Sequence, residues 1–403
     1  MTDWQIVHLK NVGTLERGKG LLKSDFVDSG VPCIHYGQIF THYGGFTDST
    51  ISFVSQETAK DCSIVRPGDT ILAITSENVR DLCKNTVWLG DADIVTGGHS
   101  GIFRHNQNPK FLGHYFQSEY FNRQKAKYAK GTKVIEINPE DILNRITIKL
   151  PDLETQQKIV NILDRVATLR DQYAKLSELE TAKLKTLKYE LLYTKSQTGK
   201  IVKLKDLFDF KTGYTPSKNV PEYWDNGSIP WFRMEDIRKN GRILSDSIQH
   251  VSKSAIKGKL FPANSIIMST TATIGEYALL TSDSLANQRF TFLTRKVNCC
   301  DRIDIVYFYH YCSILSEWCK RNVNSGGLLA VDMKAFENYK MKLPAIDEQA
   351  TIAKTLSMQE QKINCLDKMV DCTRRQYKYL LNHLINGDYD LSKIQLEGKE
   401  GLC

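Results

Sequence analysis

The sequence predicts two α/β (α+β) heads in tandem repeat, each followed by a long helix, with the two helices paired as an antiparallel coiled coil. Three observations carry this expectation. The chain repeats itself in order, each copy opens with short β-type runs separated by Gly and Pro, and each copy closes on a helix-period segment of unusual length.

The repeat is visible as five matched strings. IVHLK (residues 6–10) returns as IVKLK (201–205), and VPCIHYGQI (31–39) as IPWFRMEDI (229–237). PGDTIL (67–72) matches PANSII (262–267), and the aromatic FLGHYFQSEYF (111–121) matches DIVYFYHYCSI (304–314). Leu150-Pro151 matches Leu343-Pro344, and the offset stays between 193 and 198 throughout. One match would carry no weight, but five in the same order require an internal duplication.

Within each copy the periodicity changes once. Residues 71–74, 102–103 and 146–150 of the first copy are β-type runs, whereas the aromatic string has the i, i+3, i+4 spacing of a helix. Pro151 ends the last strand, Asp152 is placed to cap a helix, and Glu154 lies in its first turn. Apolar residues then step by three and four: Ile159, Ile162, Val166, Leu169, Tyr173 and Leu176, resuming at Leu184, Leu187 and Leu191. The second copy has Leu356, Ile363, Leu366, Val370, Tyr377, Leu380 and Leu384, with polar Gln359 and Thr373 at the same spacing. Several such heptads with charged outer faces predict a coiled-coil seam, in which the two helices pair with each other. At 1.5 Å per residue each helix is roughly 55 Å long. The expected boundaries are residues 1–150 for the first head, 151–197 for the first helix, 198–343 for the second head, 344–386 for the second helix and 387–403 for a tail.

Composition narrows the function. A chain of 403 residues with 41% hydrophobic and 25% charged residues is an ordinary globular sequence with room for two cores. Its net charge of +8 favours a polyanionic partner. No run of about 18 apolar residues suggests a membrane span, and the N-terminus shows no secretory pattern. The ten cysteines include no Cys-x-x-Cys pair, so they are expected to be reduced thiols of a cytoplasmic protein without a metal site.

The duplication, with each helix beginning after Leu-Pro-x4-Gln, resembles the specificity (S, HsdS) subunit of type I restriction–modification systems over nearly the whole chain. Supporting strings in the first copy are WQIVHL (4–9), Arg17-Gly18, HYGQIFTHYG (35–44), GGHSGIFR (97–104) and Gly131-Thr132. In the second they are TGYTPS (212–217), EYWDNGSIPWFRMEDI (222–237), TTATIG (270–275) and NQRF (287–290). The second copy departs from the first in having no counterpart of Trp4.

The resemblance implies a non-catalytic DNA reader. Each head would be a target recognition domain for one half of a bipartite site in double-stranded DNA. The helices would set the spacer and dock two methyltransferase subunits. Those partners, not this chain, would bind S-adenosylmethionine and flip out an adenine, and restriction/translocase subunits would add cleavage. Half-sites read from one face of B-DNA lie roughly 34–36 Å apart, within the reach of such helices.

Base edges are read by Arg or Lys on guanine, Asn or Gln on adenine and carboxylates on cytosine, while phosphates take basic and hydroxyl side chains. The first head offers Arg17 and Lys19, then His35, Tyr36, Gln38, Thr41, His42 and Tyr43. Ser76, Asn78 and Arg80 follow, with His99, Ser100, Arg104 and Lys133. The second head offers Lys211, Arg233, Glu235, Asp236, Lys239 and Arg242, then Thr270, Thr271 and Thr273, and lastly Asn287, Gln288 and Arg289. Trp224 and Trp231, set among Pro and Gly, are expected to pack rather than to stack on bases.

Catalytic patterns are missing. A methyltransferase needs an Asp/Asn-Pro-Pro-aromatic tetrapeptide, and the nearest string, Asn138-Pro139-Glu140, lacks its second half. GTLERGKG (13–20) satisfies Gly-x4-Gly-Lys but has Gly20 where a phosphate-binding loop needs Ser or Thr. The alternatives are an autonomous nucleic-acid enzyme and a coiled-coil nucleic-acid-binding scaffold without sequence specificity.

Overall fold

The computed structural model describes residues 4–194, 199–324, 329–389 and 391, so most of the expected tail lies outside the described residues. The chain divides into two compact units, Met1–Ala174 with Lys368–Cys403, and Lys175–Asp367. Each unit therefore holds one head, the head-proximal part of its own long helix, and the far end of the other.

Both heads repeat one sheet. In the first, Gly13–Arg17, Ser100–His105, Thr70–Ala73, Asn85–Trp88 and Phe46–Thr47 lie side by side in that order. In the second the order is Phe208–Thr212, Phe290–Arg295, Ser265–Ser269, Tyr277–Leu280 and Ile243–Leu244. All neighbours are antiparallel except the last pair, which is parallel in both heads. Every residue of Thr70–Ala73 and of Ser265–Ser269 is buried, so these central strands are continuous apolar or small runs rather than alternating ones. A two-stranded ribbon closes each head: Gln5–His8 pairs with Thr147–Leu150, and Lys200–Lys203 with Lys340–Leu343. A second sheet in each head is built around matched central strands, Val31–Ile34 and Ile229–Phe232, and has five strands in the first head but three in the second.

The repeated Leu-Pro-x4-Gln is a joint between each head and its long helix. Gln156 is fully buried: its Oε1 accepts from the Asn108 amide (3.0 Å), and its Nε2 donates to Pro151 O (2.9 Å) and Gln107 Oε1 (2.8 Å). Gln349 does the same, accepting from the Asp304 amide (2.9 Å) and donating to Pro344 O (2.8 Å) and Arg302 O (2.9 Å). Asn108 and Asp304 are the N-caps of the aromatic helices Pro109–Gln117 and Ile305–Arg321. One buried amide thus ties the strand end, the long-helix start and the aromatic-helix cap. Asp152 caps its helix as expected, accepting from the Thr155 amide at 2.8 Å.

The long helices are Leu153–Lys188 and Ile346–Ile385, and they pair antiparallel within each unit. In the first unit Ile159, Val160 and Leu163 share a core with Leu381, Leu384 and Ile385. In the second, Leu184, Leu187 and Leu191 pack on the core that contains Ile352 and Leu356. The expected seam fails at its middle: Leu169 and Leu176 are 40% and 39% exposed. Ser177 and Glu180 take the buried positions instead. Ser177 Oγ donates to Asp367 (2.6 Å), and Glu180 accepts from Gln359 (2.6 Å) and Lys362 (2.5 Å). A straight helix drifts about 20° per heptad from a 3.5-residue repeat, so the inward face moves off the leucines.

A buried histidine from each aromatic helix also meets the paired helices. His114 Nδ1 bonds the Tyr377 hydroxyl at 2.9 Å, and its Nε2 lies 3.7 Å from Asp164, which Lys110 pairs at 2.6 Å. His310 Nε2 bonds Ser357 Oγ at 2.9 Å, and its Nδ1 lies 3.6 Å from Glu360, which Lys188 pairs at 2.8 Å. Burial opposes charge on the Glu360 carboxyl, but the His310 imidazole and the Lys188 ammonium outweigh it and hold the pKa at about 2, against an ordinary 4.5. A carboxyl depressed in the folded state gives its full stabilisation above the unfolded value and loses it as pH falls towards the folded one. Thermal unfolding followed from about pH 5 down to about 2.5 should therefore show an acid-dependent loss on the order of 1–3 kcal/mol that Glu360→Gln flattens. An unchanged pH profile in that variant would remove Glu360 as the cause.

Candidate nucleic-acid interface

After its central strand each head turns through a loop locked from inside. Ser76 Oγ donates to the Asn78 carbonyl, and Ser269 Oγ donates to the Thr271 carbonyl at 2.9 Å, an i to i+2 bond in each loop, although Ser269 is the last residue of its strand and Ser76 lies three residues beyond the end of Thr70–Ala73. Beyond the lock the two loops diverge. The first exposes four consecutive residues, Glu77, Asn78, Val79 and Arg80. Its turn is built by Asn78, whose Oδ1 accepts from the Asp81 amide (2.9 Å) and whose Nδ2 donates to the Asp81 carboxylate (2.8 Å). The second presents Thr271, Ala272 and Thr273, with Ala272 at φ 61° and Gly275 at φ 89° making the turn.

Each loop borders a cleft shared with the short helix that follows the matched strand of the second sheet. The first cleft, about 570 Å³, is lined by Tyr36 and Thr41 of the helix Tyr36–Thr41, by Ser76 and Asn78 of the loop, and by Lys84 and His99. The second, about 580 Å³, is lined by Met234 and Arg238 of the helix Met234–Asn240, by Thr273 and Glu276, and by Lys320. One scaffold thus offers two clefts of like size and unlike chemistry.

The model of the Type I restriction modification DNA specificity domain matches the chain twice, over residues 1–187 and 197–368. The chain belongs to this specificity family. Among its relatives, the type I restriction enzyme EcoprrI specificity subunit of Escherichia coli is 42% identical over 49% of this chain and 51% of its own length. The EcoR124I/EcoR124II specificity subunit of Escherichia coli is 27% identical over 64% of this chain and 67% of its own. The chain thus spans about half the length of the first of these curated relatives and two thirds of the second. Two solved structures share the fold over nearly all of both chains. The S subunit from M. genitalium has a TM-score of 0.59 at 14% identity, covering 95% of this chain and 96% of that one. The HsdS subunit from Thermoanaerobacter tengcongensis has a TM-score of 0.52 at 18% identity, covering 96% and 97%.

Within the first specificity domain the structure sorts the candidate residues. Arg17, Lys19, Thr41, His42, Asn78, Arg80, His99 and Lys133 are exposed, and Tyr36 is half-buried with its ring 4.7 Å from that of His99. His35, Tyr43, Ser76 and Ser100 are buried, which corrects the expectation that they face outward. His35 Nδ1 accepts from the Gly37 amide (3.1 Å), and Gln38 Oε1 accepts in turn from the His35 amide (3.0 Å), forming a capping box. The Tyr43 hydroxyl accepts from the Ile51 amide at 2.9 Å, and Ser100 bonds Thr96 at 3.0 Å. Arg104 is spent on Glu16 (2.7 Å), Asp69 (3.2 Å) and the Ile64 carbonyl (2.6 Å).

In the second specificity domain Lys211, Glu235, Lys239, Gln288 and Arg289 are exposed. Thr271, Thr273 and Asn287 are half-buried, and Asn287 Oδ1 accepts from the Arg289 amide at 3.1 Å. Arg233 pairs with Glu235 (2.9 Å) over the Trp231 ring, and Arg242 with Glu276 (2.9 Å) over the Tyr277 ring. Asp236 and Thr270 are buried and correct the expectation in the same way. Asp236 accepts from the Arg233 and Ile248 amides, both at 2.6 Å, and Thr270 bonds Thr291 at 2.9 Å. Trp231 is buried, Trp224 is half-buried, and their rings meet edge to face at 4.9 Å, packing as expected.

Lys84, Arg238 and Lys320 line the clefts but were not singled out in sequence. Arg238 follows the matched string IPWFRMEDI directly, so extending that match by one residue would have found it. The Gly-x4-Gly-Lys string cannot serve as a phosphate loop, because Gly13–Arg17 is itself a strand paired with Ser100–His105. Asn138 is the N-cap of the helix Pro139–Arg145. Among the described residues no group of His, Cys, Asp or Glu could hold a metal, and no helix is long and apolar enough to cross a membrane.

Proposed function

We propose that this chain is the DNA-reading subunit of a type I restriction–modification complex. Each head reads one half of a bipartite site in double-stranded DNA. The paired helices set the spacer between the halves and dock two methyltransferase subunits. The chain itself is non-catalytic. S-adenosylmethionine belongs to the methyltransferase subunits, restriction/translocase subunits complete the complex, and all of it works in the cytoplasm.

The observation that carries this reading is the loop-bordered cleft present in both heads with different exposed residues in each copy. A serine-to-carbonyl bond closes the loop in each head, at different positions, while Glu77, Asn78 and Arg80 in one and Thr271 and Thr273 in the other give each cleft its own donors and acceptors. That is what reading two different half-sites with one scaffold requires. The exposed basic residues Arg17, Lys19, Lys133, Lys211, Lys239 and Arg289 are suited to phosphates, where they position without specifying.

The test is to express the chain with its methyltransferase subunits and map methylated adenines across a genome. One bipartite motif with a fixed unspecified spacer is expected. DNA binding without any motif would favour the scaffold, and methyl transfer by the chain alone would favour the enzyme.

A further inference from the structure

Lys125 lies at the end of the helix Glu119–Lys125 and is only 3% exposed. Its Nζ donates to the Arg80 carbonyl at 3.2 Å and to the Leu82 carbonyl, and stands 5.9 Å from the centre of the Phe121 ring. Burial of an ammonium is unfavourable unless it is well paired, and here its direct partners are neutral carbonyls. Of the charged side chains that act on it, Asp81 favours its charge and Lys84 opposes it. A methionine would fill the same space without that penalty, so packing alone does not account for a lysine.

Both acceptors belong to the segment that carries the exposed residues 77–80. The Ser76 lock and the Asn78 turn fix the near side of this loop, and Lys125 fixes its far side from beneath. Among the described residues of the second head no lysine is hydrogen-bonded to the loop in this way. Counting from the equivalent N-caps Asn108 and Asp304, Arg321 lies at the same distance along the chain, in a helix without the break at Ser118, and is exposed. Its loop keeps the backbone bonds that both heads share: the Val331 amide to Thr270 O (2.9 Å) and the Gly275 amide to Ser269 O (2.9 Å) repeat the Ile137 amide to Ile74 O (3.1 Å) and the Cys83 amide to Ala73 O (2.8 Å).

We infer that Lys125 is a positioning residue that holds the 77–80 loop in its reading conformation, and so determines the specificity of one half-site without touching DNA. This rests on the DNA-reading role proposed above. Base readout by bidentate contacts tolerates little misplacement, so a loosened loop loses discrimination before it loses binding.

The experiment maps methylated adenines with the assembled complex carrying Lys125→Met. At the base pairs that Asn78→Ala or Arg80→Ala also relaxes, methylation of mismatched sites should rise at least about tenfold. The other half-site and the spacer should not change, and Lys125→Arg, which keeps the donors, should keep the motif. An intact motif in Lys125→Met, or equal relaxation of both halves, overturns the inference. A wild-type complex with no motif would instead overturn the DNA-reading role. If Lys125→Met does not assemble, hydrogen exchange on the full chain decides. The Asp81 and Leu82 amides should exchange at least about tenfold faster while the loop at residues 270–275 is unchanged, and unaltered exchange at Asp81 and Leu82 refutes the pin.

Discussion

Inserting four residues after Ala174 and four after Asp367 is expected to lengthen the recognised spacer by one to two base pairs while leaving both half-sites as they are. The two insertion points fall where the long helices carry the chain from one compact unit to the other. Contacts within each unit are therefore spared, including Arg170 over the Tyr377 ring on one side and Ser177 with Asp367 on the other. Four helical residues add roughly 6 Å at 1.5 Å each, and B-DNA advances about 3.4 Å per base pair. Both helices must be lengthened together, because an insertion in one alone would slide Glu180 away from Gln359 and Lys362. The measurement is again the methylated motif. A spacer of unchanged length in an active complex would refute the helices as its ruler.

Gln349→Leu should lower the stability of its unit by about 3 kcal/mol, since one buried amide satisfies three backbone groups there. For a unit of this size that corresponds to roughly 6–12 °C in calorimetric midpoint. Gln156→Leu should act in the same direction on the other unit, where the amide bonds two backbone groups and the Gln107 side chain. Each variant should move one calorimetric transition and spare the other. A shift below about 1 kcal/mol would mean that water or relaxation replaces these bonds. Methylation by the complex at low temperature should keep its motif, because neither glutamine is among the residues proposed to face DNA.

Much of the architecture could be read from residues alone. The matched strings mark equivalent strands: Ile6 and Ile201 both lie in closing ribbons, and residues 67–72 and 262–267 both lead into central strands. The seam was legible at its ends, where Ile159, Leu356 and Leu384 are buried. It was misread in the middle, because an apolar residue at the right spacing says nothing about slow helical drift or about a buried polar pair that a facing helix can satisfy.

The candidate interface was legible in part. Clusters of turn-forming polar residues led to the 76–80 and 270–273 loops, which the fold presents at matched places. Side-chain chemistry could not tell an exposed, cleft-lining Asn78 from a buried Asp236, since both are residues of loops and helix starts. Lys125 was invisible for the opposite reason: in sequence it is one more lysine on a basic helix end.

Alone, the sequence determined that the chain holds two copies of one head and two long helices, because duplication and periodicity are properties of residue order. Only the tertiary structure decided which polar groups are spent on the fold and which remain for a partner. That outcome depends on where carbonyls and amides from distant segments come to rest, and a buried donor must find one of them.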